Sequence, residues 1–207
     1  MLIFLDAGLA YLATPKTGTT AIETALQRRA DLVFRRGRKH MPARRFVNKV
    51  APFIADTFNC DLETVAVMRE PTEQLRSWYR YRTRDEKAGE PKSTRGVDFE
   101  TFVTDVLADE PPEYARINGQ FSFLTRQDML LVDHLFAYTH LDDFRHFMAG
   151  RLGIEVAFAT QNVSPDVDAS LSGALETRLQ RVRAGEFQLY TQLQDAGGYL
   201  HTPQGLL

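Results

Sequence analysis

The sequence predicts an α/β fold in which a mainly parallel central sheet is flanked by helices, in one domain over residues 1–207. Three observations carry the prediction. Short apolar runs alternate with segments of helical periodicity. Two polar turns, in 13–20 and 69–77, each follow an apolar run, where ligands gather in folds of this class. A content of 43% hydrophobic and 25% charged residues provides enough apolar surface for a core.

Taken in order, MLIFLDAGLAYLATP reads as two short strands around a turn at Asp6–Gly8. It lacks the basic start of a signal peptide, and no segment approaches the ~20 apolar residues of a membrane span. A helix is expected over about 18–29, with Ile22, Ala25 and Leu26 apolar, and then a short strand in DLVF (31–34). MPARRFVNKVAPFIADTF (41–58) reads as a helix whose apolar face is Phe46, Val50, Phe53, Ile54 and Phe58. ETVAVMR (63–69) has the unbroken apolar pattern of a buried parallel strand. Pro71, with Glu70 and Glu73, marks a helix start. The charged, Gly- and Pro-containing stretch 85–97 is a surface loop. A helix from Asp98, an irregular DEPPEYARING (109–119), a strand in HLFAYT (134–139) and a helix LDDFRHFMAGRLG closed by Gly153 follow. Two helices at about 169–183 and 185–195 complete the chain.

The net charge of −2 hides an asymmetry: residues 1–97 carry 18 Lys/Arg against 11 Asp/Glu, residues 98–207 carry 7 against 16. The first half is the anion-binding half. RRGRKH (35–40) and YRYRTR (79–84) read either as solvated faces or as part of that anion site. Aromatic and basic residues also interleave in nucleic-acid binders, but the acidic overall balance argues against such a partner. The single cysteine, Cys60, rules out an internal disulfide and a multi-cysteine metal site, which fits a cytoplasmic protein. His134, His140, His146 and His201 show no ligand spacing with carboxylates, so the sequence assigns no metal.

The first polar turn, ATPKTGTTAIETAL (13–26), has the grammar of a phosphate loop, yet Lys16 precedes the only glycine, Gly18, instead of following a second one. Backbone N–H groups of Gly18 to Thr20 would open a helix toward an anion, with hydroxyls from Thr19 and Thr20 beside them. The second turn places Arg69 at a strand end, with Ser77 eight positions later.

PKTGTT (15–20), followed by R-x-P with a serine eight residues after the arginine (Arg69, Pro71, Ser77), closely resembles the sulfotransferases that use 3′-phosphoadenosine 5′-phosphosulfate, PAPS. The resemblance implies a P-loop NTPase-like three-layer sandwich and metal-independent transfer of a sulfuryl group from PAPS to a hydroxyl acceptor, a carbohydrate or small metabolite. It implies Lys16, Thr17, Gly18, Thr19 and Thr20 at the 5′-phosphosulfate, and Arg69 and Ser77 at the 3′-phosphate. Coverage is best over residues 8–82. INGQFSFLT (117–125), LFAYTHLDDFRHFMAGRLGI (135–154) and AGEFQLYTQL (184–193) are similar to later helices of bacterial and carbohydrate-type members. The second of these has Thr139 and His140 where the family carries an acid, so no role passes to that segment.

Lys16, entering at the start of the loop, is placed to stabilise charge on the departing bisphosphate. His40, in a K-H-x-x-A context similar to carbohydrate-type relatives, is the expected general base, with Lys39 a candidate contact to sulfate or acceptor and Glu70 the alternative base. Arg76, Arg80 and Arg84 fall on one helical face and either snorkel or reach an anion. Two other readings stand beside the transferase: a small-molecule kinase with a degenerate loop, and a non-catalytic nucleotide-binding adaptor.

Overall fold

Strand β1 (Leu2–Phe4) turns back through Gly8 into β2 (Leu9–Leu12), with Leu2 opposite Tyr11 and Phe4 opposite Leu9. The computed structural model describes residues 1–158 and 167–203. Helix α1 (Thr19–Leu26) is followed by β3 (Leu32–Val33), which pairs antiparallel with β1. Helix α2 (Ala43–Arg45), a π-helical turn (Phe46–Val50) and α3 (Ala51–Phe58) run on to β4 (Glu63–Met68). Helices α4 (Pro71–Arg82), α5 (Phe99–Val106) and α6 (Gln120–Leu124) lead to a small hairpin, β5 (Thr125–Arg126) and β6 (Met129–Leu130). Strand β7 (His134–Ala137), helices α7 (Leu141–Leu152), α8 (Gly173–Val182) and α9 (Ala184–Asp195), and strand β8 (Tyr199–His201) complete the described chain.

The main sheet has the order β3-β1-β2-β4-β7-β8. Strand β4 pairs in parallel with β2, Leu12 opposite Ala66, and with β7, Met68 opposite Ala137. Strand β3 shares their direction, whereas β1 and β8 run against it. The sheet is therefore mixed, with a parallel centre. The antiparallel departures have a covalent cause at β1–β2, because the short turn around Gly8 cannot make the crossover that a parallel pair requires.

The central strands are buried on both faces, as their unbroken apolar runs demand. Leu2, Tyr11, Val65, Val67 and Phe136 pack with Ile22 and Leu26 of α1 and Phe144 and Met148 of α7. Ile3, Leu12, Ala66, Met68 and Leu135 pack with Phe46, Ile54, Phe123 and Leu193 on the other face. Each fully buried Leu or Phe among them contributes about 1.5–3 kcal/mol. A third cluster joins Leu75 and Tyr79 of α4 to Phe99 and Phe102 of α5 and Leu179 of α8.

Several expected details differ. Phe53 and Phe58, assigned to the buried helix face, are 57% and 45% exposed and pack edge to face on each other, with centroids 6.3 Å apart. Phe46, Val50 and Ile54, at i, i+4 and i+8, hold the core side. The π turn widens the spiral, so one 3.6-residue pattern does not describe the whole run. Helix α1 stops at Leu26 and α8 starts at Gly173, both shorter than the pattern suggests. Asp98 caps α5 through the Thr101 N–H, and Gly153 closes α7 in the left-handed region, as expected.

The starts of β4 and β7 are tied by buried polar groups. The N–H and hydroxyl of Thr64 both donate to Asp133 Oδ2 at 2.7 Å, and the Asp133 N–H returns a bond to Thr64 Oγ1 at 3.0 Å. Thr64→Val keeps the shape and orphans buried partners, so it should destabilise the protein by about 1–3 kcal/mol. Urea unfolding would read this as a lower midpoint at unchanged slope; an unchanged midpoint would deny the network a role in joining the strands.

Candidate functional site

Because β2 and β4 are adjacent and parallel, the two polar turns of the sequence emerge side by side at one edge of the sheet. The first turn is held in an unusual backbone. Lys16 has φ 69° and Gly18 φ 74°, the left-handed region that glycine enters freely and lysine does not. Gly18 starts α1 without a side-chain cap, which leaves the first N–H groups of the helix without a capping acceptor. Thr17 is fully buried and its hydroxyl donates to the Thr14 carbonyl at 2.8 Å. Thr17 therefore shapes the turn with its donor. Thr19 is largely buried, and Thr20 is exposed at the mouth of the helix.

Lys16 reaches over the second element. Its Nζ lies 4.1 Å from the Tyr81 ring centroid and 5.5 Å from that of Trp78, both on α4. Burial, followed by the charges of Arg84, Arg69 and Arg82, pushes its ammonium down to about 7. An anion arriving here meets a cation whose like-charged neighbours it relieves.

Arg69 stands at the carboxyl end of β4. Its backbone is clamped by the Gln120 side chain, which accepts from Arg69 N at 2.8 Å and donates to Arg69 O at 2.7 Å. Gln120 is buried, and its own N–H donates to Glu186 Oε1 at 2.8 Å. The Arg69 guanidinium lies 4.8 Å from the Tyr138 ring centroid and donates to Glu73 Oε2 at 3.3 Å. Burial opposes the Glu73 charge, but Arg76, Arg69 and Arg80 hold its carboxyl below its ordinary value. Ser77 lies one turn beyond Glu73, half-buried, and its hydroxyl has no hydrogen-bond partner among the described residues.

The arginine face expected on α4 divides. Arg76 and Arg80 donate to the carbonyls of Ala169 and Val167 and anchor that segment. The helix ends at Arg82, so Arg84 leaves the face and lies against the Tyr81 ring. Glu70, the alternative base, accepts the Glu73 N–H at 2.7 Å as the cap of α4. Lys39 is paired with Glu23.

His40 is brought to the first loop across 27 residues of chain: its Nδ1 lies 2.6 Å from the Ala13 carbonyl. A carbonyl only accepts, so Nδ1 carries the proton and Nε2 presents a lone pair. Burial lowers the imidazole below its usual range, so it is neutral at pH 7. The segments on either side of His40 in the chain contribute Arg38, Met41, Arg44, Arg45 and Lys49 to a cavity of about 800 Å³ that Arg126 also lines, with no carboxylate among its described walls.

Two site residues escaped the sequence reading. Tyr138, at the carboxyl end of β7, stacks under Arg69 and lies within 3.4 Å of where a Cβ on Gly18 would stand, so it touches both turns. Gln120 sits 51 positions from the arginine it clamps, and no short-range signal marks it. Away from this edge, at the starts of β4 and β7, the fold also gathers Glu63, His134 and His201, which the linear spacing of histidines and acids conceals. The sequence matches no model of a known protein family, and it matches no curated protein.

Anion binding should return Lys16 toward its ordinary range. At pH ~8, pyrophosphate binding is then expected to take up a proton, and affinity should fall as the pH rises above about 7. Calorimetry in two buffers of different ionisation enthalpy reads the uptake. It should vanish in Lys16→Met; uptake that persists there would assign the proton to another group.

Proposed function

We propose that the protein is a PAPS-dependent sulfotransferase of P-loop-type architecture that sulfates a hydroxyl acceptor, a carbohydrate or small metabolite. The reading rests chiefly on one observation: the PKTGTT turn and the Arg69–Ser77 element, far apart in sequence, share one sheet edge with Tyr138 against both. The resemblance requires that proximity of a single nucleotide's two ends. His40 beside the same loop, with Nε2 unprotonated, supplies the third part.

The chemistry assigned to these residues is an in-line displacement. The acceptor oxygen forms a bond to sulfur as the bond from sulfur to the bridging oxygen breaks, and the acceptor proton passes to His40 Nε2. Lys16 and the N–H groups of Gly18 to Thr20 face the charge that grows on the departing phosphate oxygens. Arg69 and Ser77 hold the 3′-phosphate, and binding there requires the Arg69 guanidinium to share or exchange its contact with Glu73. The basic cavity lined by Arg38, Arg44, Arg45, Lys49 and Arg126 suits an acceptor that carries negative charge. A kinase reading gains no support, since Arg69 follows β4, Tyr138 follows β7, and the Glu70 carboxylate is engaged as a helix cap.

Transfer of sulfate from PAPS to a panel of sugars and alcohols, with and without Mg²⁺, tests the proposal. Metal-independent turnover is expected. Preference for ATP with Mg²⁺ would replace the reading by a kinase, and tight adenosine 3′,5′-bisphosphate binding without turnover would replace it by an adaptor. Arg69→Ala and Ser77→Ala should remove the preference for the 3′-phosphate, a charge-assisted contact of roughly 1.5–3 kcal/mol, while the nucleotide lacking that group binds as before. Equal losses for both nucleotides would show a folding role instead.

His40→Ala should slow turnover by ~10²–10⁴-fold and abolish the acid limb of the pH–rate profile, leaving bisphosphate affinity unchanged. The sign follows from the base being active when neutral: the rate rises with pH through the lowered pKa of His40. A mutant that retains the limb would place the base elsewhere.

A further inference from the structure

Strand β4 begins at Glu63, β7 begins at His134, and β8 ends at His201, so the parallel and antiparallel pairings bring the three to one margin of the sheet. This is the margin away from the carboxyl ends of β2 and β4 that carry the two anion turns. One ligand atom from each lies within 4.8 Å of the others. His134 and His201 are direct cross-strand partners with their rings stacked at 4.6 Å.

His134 is the central group. It is 4% exposed, its Nδ1 lies 2.9 Å from the Tyr199 hydroxyl, and its Nε2 is buried without a hydrogen-bond partner, aimed at Glu63 Oε2 3.5 Å away. The Tyr199 hydroxyl can donate or accept, so two tautomers are open to His134: Nε2–H toward Glu63, or Nδ1–H toward Tyr199 with the Nε2 lone pair facing the carboxylate. In the second, two acceptors face one another and a cation between them satisfies both. A metal-binding imidazole has this form: one nitrogen ligating, the other oriented by a hydrogen bond to a neighbour. Glu63 and His201 are solvent-accessible, which gives an ion a path of entry and His201 freedom to turn its ring inward.

From this geometry we infer a binding site for a first-row divalent cation at Glu63, His134 and His201. Two imidazoles and one carboxylate suit Zn²⁺, with water in the fourth position of a tetrahedron. An ion here joins β4, β7 and β8, so it clips the short C-terminal edge strand to the sheet centre. The site lies at the margin opposite the turns to which sulfuryl transfer is proposed. Arg151 of α7 is the competitor: its guanidinium donates to Glu63 Oε2 and to the Ala7 carbonyl, so the ion must displace the first of these bonds.

The test uses the full chain, freed of metal by dialysis against chelator and titrated with Zn²⁺ by calorimetry, with Co²⁺ absorption reporting tetrahedral coordination. Binding of one ion per chain is expected, with a rise in thermal midpoint. His201→Ala removes an exposed ring from an edge strand and should fold normally. It should weaken Zn²⁺ by at least about tenfold and cancel the thermal shift, as should Glu63→Gln. Arg151→Met should tighten binding, because the competing cation is gone. His146→Ala, an exposed histidine of α7 outside the cluster, should bind as the parent does. The inference is overturned if the parent chain binds no Zn²⁺, if it binds only after Arg151 is removed, or if His201→Ala and Glu63→Gln bind as well as the parent.

Discussion

Parallel pairing of β4 with both β2 and β7 is the constraint on which the arrangement of this molecule depends. A parallel pair puts like ends of its strands together. The turn after β2 and Arg69 after β4 therefore face the same solvent, and Tyr138 after β7 completes the row. Had β4 run the other way, the turn after β2 and Arg69 would lie at opposite margins of the sheet. The same pairing collects Glu63 and His134 at the strand starts, so one topological fact creates both concentrations of chemistry.

At the carboxyl margin the protein holds cations together at an energetic cost. Lys16 is half-buried, close to the charges of three arginines, in a left-handed backbone that disfavours lysine, and its ammonium is pushed to about 7. Aromatic faces soften that repulsion: Tyr81 and Trp78 lie under Lys16, Tyr138 under Arg69. Glu73 is the single carboxylate among the described residues that Arg69 and Arg76 both contact. Strain and like-charge crowding of this kind persist where surrounding structure enforces them, and a bound polyanion would relieve the crowding.

The acidic second half of the chain supplies the enforcement. Gln120 mimics a neighbouring strand by pairing with both backbone polar groups of Arg69, and the buried Glu186 carboxylate fixes Gln120 in turn. A Cβ on Gly119 would collide with that carboxylate, which explains the glycine there. Arg76 and Arg80 tie α4 to the carbonyls of residues 169 and 167. The net +7 and −9 of the two halves thus correspond to a cationic site and a scaffold that positions it.

Local pattern alone determined the class of fold and most of its elements. Apolar runs located β1, β2, β4 and β7, Asp98 and Gly153 marked helix ends, and the order of PKTGTT, Arg69 and Ser77 pointed to one margin of a sheet. Those signals are legible because periodicity, capping and turn chemistry act over a few residues. Strand β8 has three residues after two left-handed glycines, too short for a period, and the β5–β6 hairpin turns on Gln127 and Asp128 instead of the Asn-Gly that would announce it. Only the tertiary structure decided that Thr17 faces inward, that Glu70 is a cap, that Arg84 leaves the α4 face, and that Gln120 serves Arg69. It also decided that Glu63, His134 and His201 meet. Each of these depends on which strands become neighbours and in what register, and that choice is made by packing two apolar faces at once, a condition no short stretch of sequence contains.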